Sequence, residues 1–353
     1  MTTSELPALL VRLVAFVFGA TWGSFFNVAV HRWPRGQSVV SPPSTCPACG
    51  ARIPPWRNVP IVSWLALRGR AACCGARISP RYVVIEAVSG ALCVAIAERV
   101  VVGAPEGSDA GLAALEALAW FAFGGALLVA TFVDLEHMEI PDEVSLPGAA
   151  LGLVTADMRG SPGAAAAALG AGGGFLLVQL LFVHVYERFT GRRGMGEGDA
   201  KLLMLIGAWI GWQGAVFALV AGAAQGLVAA AALLLTGRDT VPEAVRERER
   251  EDAAATGAQD GTRGGDADAA APERSGEAPW PGEAPRSGDA TRDPSQEAPE
   301  GDDARGDPVD DEPAPSGQGA LRVPFGPFLA LGALEFYFFG DAILSAYVDL
   351  VGL

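Results

Sequence analysis

The chain has 353 residues, half of them hydrophobic, with a positive mean hydropathy and a formal net charge of −15. The charge is local: between Arg238 and Ala320 nine Arg stand against 22 Asp and Glu, and the rest of the chain is near neutral. This composition reads as a polytopic membrane protein, with lipid and no nucleic acid among its expected partners, and with several apolar runs near the roughly 20 residues that span a bilayer.

The first apolar run, 6–30, is long for a signal core and lacks a basic leading segment, so it is expected to be retained as a membrane helix. At its inner end Ser24, Asn27 and His31 are spaced by three and four and share one helix face. Two readings stay open there: helix packing through Gly23 and Ser24, or part of a binding surface formed with the following loop.

Residues 31–81 hold eight Arg and no Asp or Glu. The positive-inside rule places this loop in the cytoplasm. Five cysteines give no disulfide framework, and four of them are clustered. Cys46-Pro47-Ala48-Cys49-Gly50 has the form of a zinc knuckle. Cys74-Gly75 mirrors Cys49-Gly50, but the position expected for the remaining thiol is Ala71, so the metal set is Cys46, Cys49, Cys74 and, as fourth ligand, Cys73. The alternative is a metal-free loop with spare thiols.

Seven further apolar segments follow: 82–103, 112–133, 143–157, 164–186, 200–212, 213–236 and 323–350. The fold class is an all-α polytopic membrane protein of about eight transmembrane helices. Alanine and glycine in 164–174 predict a close helix–helix approach. Counting spans from the basic loop puts both termini outside, 103–111 outside, and 134–142 and 187–199 in the cytoplasm. Residues 238–320 are rich in Ala, Pro, Gly and charge with one aromatic, Trp280, which predicts a disordered cytoplasmic loop; Val245–Asp252 extends the preceding helix in this reading. Four parts result: 1–81, the first helix with the cysteine loop; 82–236, a membrane core; 237–322, the acidic insertion; 323–353, the last helix.

Asp134 closes the third apolar run. Asp199 lies in Gly196-Glu197-Gly198-Asp199-Ala200-Lys201, which opens the sixth and holds the only lysine. Ionisable groups against hydrocarbon are costly and mark function. Topology places both aspartates at the same face, where two neighbouring carboxylates share a proton and titrate as a unit. Asp142 reads as a helix N-cap, Glu136 and Glu139 as solvated, and His137 as a loop histidine.

Together these residues resemble the prepilin peptidases, or type IV leader peptidases, in their bifunctional bacterial branch. G-S-F-F-N-V-A-V-H-R-W-P, C-P-A-C-G, N-V-P-I-V-S-W-L-A-L-R-G-R and I-S-P-R-Y-V-V-I-E are similar to the family's N-terminal region. D-L-E-H-M-E-I-P-D and G-M-G-E-G-D-A-K-L are similar to its two catalytic segments, the second carrying the G-x-G-D form of intramembrane aspartic proteases. The resemblance implies a bacterial inner-membrane enzyme with Asp134 and Asp199 as catalytic pair. It implies removal of the leader of type IV prepilins or type II secretion pseudopilins after a glycine, and N-methylation of the new terminus from S-adenosylmethionine. Glu136 stands where the family often has Asp, Ala71 replaces a cysteine, and the acidic insertion has no counterpart. The competing readings are a peptidase without methyltransferase, a proton-coupled carrier, and a zinc-stabilised scaffold.

Overall fold

A computed structural model describes residues 1–191, 195–236, 245–246, 250 and 323–351. The expectations for the acidic insertion and for the helical extension over Val245–Asp252 fall almost wholly outside the described residues. Among those described, the protein is helical and has no strand; three isolated bridges are its only β-type pairings.

Helix α1, Ala8–Arg32, leads through the cysteine loop and short α2, Val62–Ala66, to α3, Arg81–Ala97, which a π-helical stretch continues over Glu98–Val102. Then come α4, Ala110–His137, and α5, Asp142–Val154. Helix α6, Ala164–Leu177, runs on through π-helical Val178–Val185 into α7, Tyr186–Thr190. Helix α8, Glu197–Thr236, and α9, Gly326–Val351, complete the bundle. Among the described residues four helical stretches are long and apolar enough to cross a membrane: Ala8–Arg35, Ala110–His137, Ala164–Thr190 and Glu197–Thr236. On α1, Leu9, Leu13 and Val17 are exposed, and on α8 so are Val220, Leu227, Val228 and Leu234. In lipid such outward faces carry no penalty.

Small residues set the helix contacts. A Cβ on Gly19 would meet Cys93 Cβ at 2.6 Å, and one on Gly23 would meet Glu86 Cα at 2.7 Å, so α1 and α3 touch backbone to backbone. Ser89 Oγ donates to the Gly19 carbonyl at 2.7 Å, and buried Asn27 donates from Nδ2 to the carbonyls of Gly23 and Tyr82. Asn27 and Gly23 therefore serve packing; His31 is exposed on the helix surface.

The decisive break is in α8. Gly211 has φ 72° and ψ −179°, a conformation open to glycine and closed to other residues. Asp199 and Ala223 line one cavity, whereas an unbroken helix would separate 24 residues by about 36 Å. The chain thus doubles back at Gly211, and the apolar segments 200–212 and 213–236 are its two limbs. The first limb lies hard against α6: a Cβ on Gly207 would overlap the Gly170 carbonyl, and one on Gly174 would meet Leu203 O at 2.9 Å.

Arg159 secures this turn. Its guanidinium is buried and donates to the carbonyls of Trp209 at 2.7 Å, Gly152 at 2.6 Å and Ala208 at 3.3 Å. The carbonyls at the ends of α5 and of the first limb of α8 are otherwise short of intrahelical donors. The rings of Trp120 and Trp209 lie 4.8 and 4.4 Å from its Cζ, where cation–π attraction offsets part of the lost hydration. Arg159→Met strips these carbonyls of their donor, and a loss of about 3 kcal/mol is expected. Thermal unfolding of the purified variant in detergent, read as a fall in melting temperature against wild type, checks it.

Candidate active site and cysteine cluster

Asp134 lies in the last turn of α4, and Asp199 in the first turn of α8. The two helices approach from different parts of the chain and open onto one cavity of about 1210 Å³ that both aspartates line. Trp33 and Pro34, just past α1, and Val323, Pro324 and Phe325, just before α9, complete the walls.

Each carboxylate is held by a backbone amide. Gly326 N–H donates to Asp134 Oδ2 at 2.8 Å in a buried contact, and Gly196 N–H donates to Asp199 Oδ2 at 3.2 Å. Asp134 is 5% exposed; a carboxylate so placed exists only with such donors or a proton. Gly198 sits against Ile140, where a Cβ would come within 3.1 Å of Ile140 Cβ. The glycine therefore brings the Asp199 turn against the segment that follows Asp134.

Other acidic residues take different places from those expected. Asp142 is not an N-cap: Pro141 occupies that position and makes no side-chain cap bond, and Asp142 is the first residue of α5. Its carboxylate receives both bonds from Lys201 Nζ, at 2.7 and 2.8 Å. The single lysine thus joins α5 to α8 on the cavity rim. Glu136 is half-buried and paired with the Arg81 guanidinium rather than solvated, whereas Glu139 is exposed at the cavity, in keeping with the solvated reading. His137 is buried as the last residue of α4, not exposed in a loop; at the end of an apolar helix it is covered by the packing around Asp134. Gly326, remote in sequence, carried no signal of its role.

The cysteine loop forms two matched turns. Cys46 N–H donates to Ala51 O and Gly50 N–H to Cys46 O, both at 2.8 Å; Ala71 N–H donates to Ala76 O and Gly75 N–H to Ala71 O, again both at 2.8 Å. Gly50 and Gly75 share a left-handed φ of 70° and 71°. Ala71 thus occupies the seat that Cys46 has in the first turn, and Cys73 supplies the missing thiol from inside the second. The four sulfur atoms lie within 4.8 Å of one another. Cys46–Cys74, Cys49–Cys73 and Cys73–Cys74 Sγ separations are 3.7, 3.4 and 3.9 Å, close to the ~3.8 Å edge of a tetrahedron with Zn–S arms of about 2.3 Å. The amides of Ala48 and Cys49 pull the Cys46 thiol down to about 7, while hydrogen bonding with Cys49 and Cys46 pushes Cys73 up to about 12. One thiolate thus forms readily and a neighbouring thiol shares its proton. The donor set fits one zinc ion.

Residues 17–100 match the bacterial peptidase A24 N-terminal domain, and residues 121–231 match the type IV leader peptidase family. The chain is 35% identical over 254 residues to a prepilin leader peptidase/N-methyltransferase of Aeromonas hydrophila, covering 65% of this chain and 83% of that one. The chain belongs to the type IV leader peptidase family. Similarly named relatives from Myxococcus xanthus (strain DK1622) and Neisseria gonorrhoeae are each 34% identical, covering 67% and 62% of this chain and 69% and 80% of theirs. No solved structure matches. Family membership replaces the carrier and scaffold readings of the intramembrane acids, and the matched regions contain both aspartates and all four loop cysteines.

Purified protein is expected to carry about one zinc per chain, measured by mass spectrometry of the metal. Cys73→Ser is expected to lower that stoichiometry at least several-fold at equal protein, whereas Cys93→Ser, in α3 away from the cluster, leaves it unchanged.

Proposed function

We propose that Asp134 and Asp199 are the catalytic pair of a prepilin leader peptidase, and that the same chain N-methylates the terminus it exposes. The observation that carries the reading is the meeting of these two carboxylates, one from the end of α4 and one from the start of α8, on a single cavity. In this mechanism one carboxylate is ionised and one protonated. The ionised member takes a proton from water as its oxygen attacks the scissile carbonyl carbon, and the protonated member gives its proton to the carbonyl oxygen. Collapse of the tetrahedral intermediate breaks the C–N bond: the leaving nitrogen takes up the proton gained from water, and a hydroxyl of the intermediate returns its proton to the other carboxylate, restoring the dyad.

The substrates are type IV prepilins and, by the same leader chemistry, type II secretion pseudopilins. The methyl group comes from S-adenosylmethionine as co-substrate. Cys46, Cys49, Cys73 and Cys74 would hold zinc as a structural ion, tying together a loop with little apolar core of its own. Buried Glu86 of α3 accepts the Ile61 amide at 2.7 Å, so this loop is fastened to the helix beside α1.

The protein resides in the bacterial inner membrane, in contact with lipid. We assign eight spans, the two limbs of α8 counted separately, with both termini outside. The cysteine loop and the catalytic cavity then face the cytoplasm, since eight Arg and no acid occupy 31–81. The division into 1–81, 82–236, 237–322 and 323–353 separates the loop-bearing part, the peptidase core, the insertion and the closing helix.

Co-expression with a prepilin tests the pair. Asp134→Asn and Asp199→Asn are each expected to reduce leader removal at least about 1000-fold while the protein remains in membranes at wild-type level. Complete processing by either variant refutes the assignment. The mass of the mature pilin reads methylation in the same experiment: a product without the added methyl group leaves the chain a peptidase alone.

A further inference from the structure

We propose that Gly326 is a positioning residue of the dyad, and that it and Gly196 fix the two Oδ1 atoms as the reacting oxygens; this rests on the assignment of Asp134 and Asp199 as the catalytic pair. The two aspartates are held alike. On each, Oδ2 accepts a glycine amide, from Gly326 for Asp134 and from Gly196 for Asp199. An oxygen that accepts an amide hydrogen is favoured as the anionic end of its carboxyl group. The dyad's shared proton is therefore directed to the Oδ1 atoms, which are left to bind water and the scissile carbonyl.

Gly326 is suited to this in two ways. It opens α9, so its amide has no partner within the helix and is free to serve the carboxylate. It also lacks a Cβ where none fits: one would stand 2.7 Å from Asp134 Oδ2, 3.3 Å from its Cγ and 3.3 Å from Ile140 Cδ1. The Asp134 backbone cannot yield, because its carbonyl accepts the Met138 amide at 2.9 Å in the last turn of α4. A side chain at 326 is therefore expected to displace the carboxylate, the movable partner in that contact, out of register with Asp199. Among the described residues the other charged groups on the cavity are Glu139, Glu143 and the Lys201–Asp142 pair, with His137 buried one turn beyond Asp134. From α9, residues 326–334 bring no charge to this face, so the α9 contribution at Asp134 is the amide itself.

The test uses the full-length protein in liposomes with a purified prepilin. Gly326→Ala is expected to lower kcat about 100-fold, the usual effect of displacing a reacting group by an ångström. KM stays within about twofold, since the peptide-binding walls are intact, and the pH–rate profile is displaced because the proton is redistributed within the dyad. Replacing Gly326 by glycolic acid in cell-free synthesis removes the N–H without adding an atom, and the same displacement is expected even if the alanine variant fails to fold. Gly332→Ala is the packing control: its Cβ would meet Ala218 Cα at 3.0 Å, and none of its three nearest atoms belongs to a carboxylate; it is expected to lower stability with an unchanged pH profile. Wild-type kcat and pH profile in the glycolic acid form, or an equal displacement in Gly332→Ala, overturns the proposal. An inactive Asp134→Asn beside a wild-type-like Gly326 variant sinks the positioning role alone; an active Asp134→Asn sinks the dyad.

Discussion

The reversal at Gly211 is the constraint on which the rest of the molecule depends. A helix running straight through Gly211 would carry Leu219–Ala223 tens of ångströms from Asp199 and leave the cavity without one wall. The turn instead makes a short limb that rises from the dyad and a longer one that returns past it. Three independent features hold it: the left-handed backbone of Gly211, the direct contact of Gly170 with Gly207, and the buried guanidinium of Arg159 across the ends of two helices. Close backbone contact and polar bonds carry all three, with the Trp120 and Trp209 rings flanking the guanidinium. This is the expected economy inside a bilayer, where hydrocarbon-to-hydrocarbon transfer contributes little and close backbone contact with satisfied polar groups must hold the bundle.

A second principle runs through the site: a charged side chain is fixed by a partner from another helix. Lys201 of α8 holds Asp142 of α5; Arg81 of α3 holds Glu136 of α4; the opening amide of α9 holds Asp134 of α4. Two of these contacts involve acids that line the cavity, Asp142 and Asp134, so α4, α5, α8 and α9 exchange polar contacts there. Such pairing keeps acids next to hydrocarbon at tolerable cost and orients them at the same time.

The sequence disclosed the helices almost segment by segment, because apolar runs in a membrane protein are long and their breaks are polar. It also disclosed the two aspartates, since parity of spans and the arginine-rich loop put both at one face before any contact was visible. What stayed hidden depends on partners far along the chain. Asp142 carries the local signature of an N-cap, and only the approach of Lys201, 59 residues away, recruits it elsewhere. His137 follows polar residues and reads as exposed, yet tertiary packing covers it. Gly326 is separated from Asp134 by 192 positions, and one glycine in a Phe-Gly-Pro stretch signals a helix start and nothing more. The cysteines show the reverse case: the spacing already offered Cys73 in place of the thiol missing at Ala71, and the two turns bring all four sulfur atoms within 4.8 Å of one another.

The order in which the parts of this site leave the ribosome follows from the position of α9. Both aspartates, the lysine and the cysteine loop are made early, and the insertion is made after them. The cavity gains its last wall and Asp134 its amide only when the chain has passed residue 326. Until then the nascent polypeptide already possesses its acidic pair but lacks the piece that aligns it. Translation itself thus orders the assembly: the proposed dyad is aligned only once residue 326 has been added.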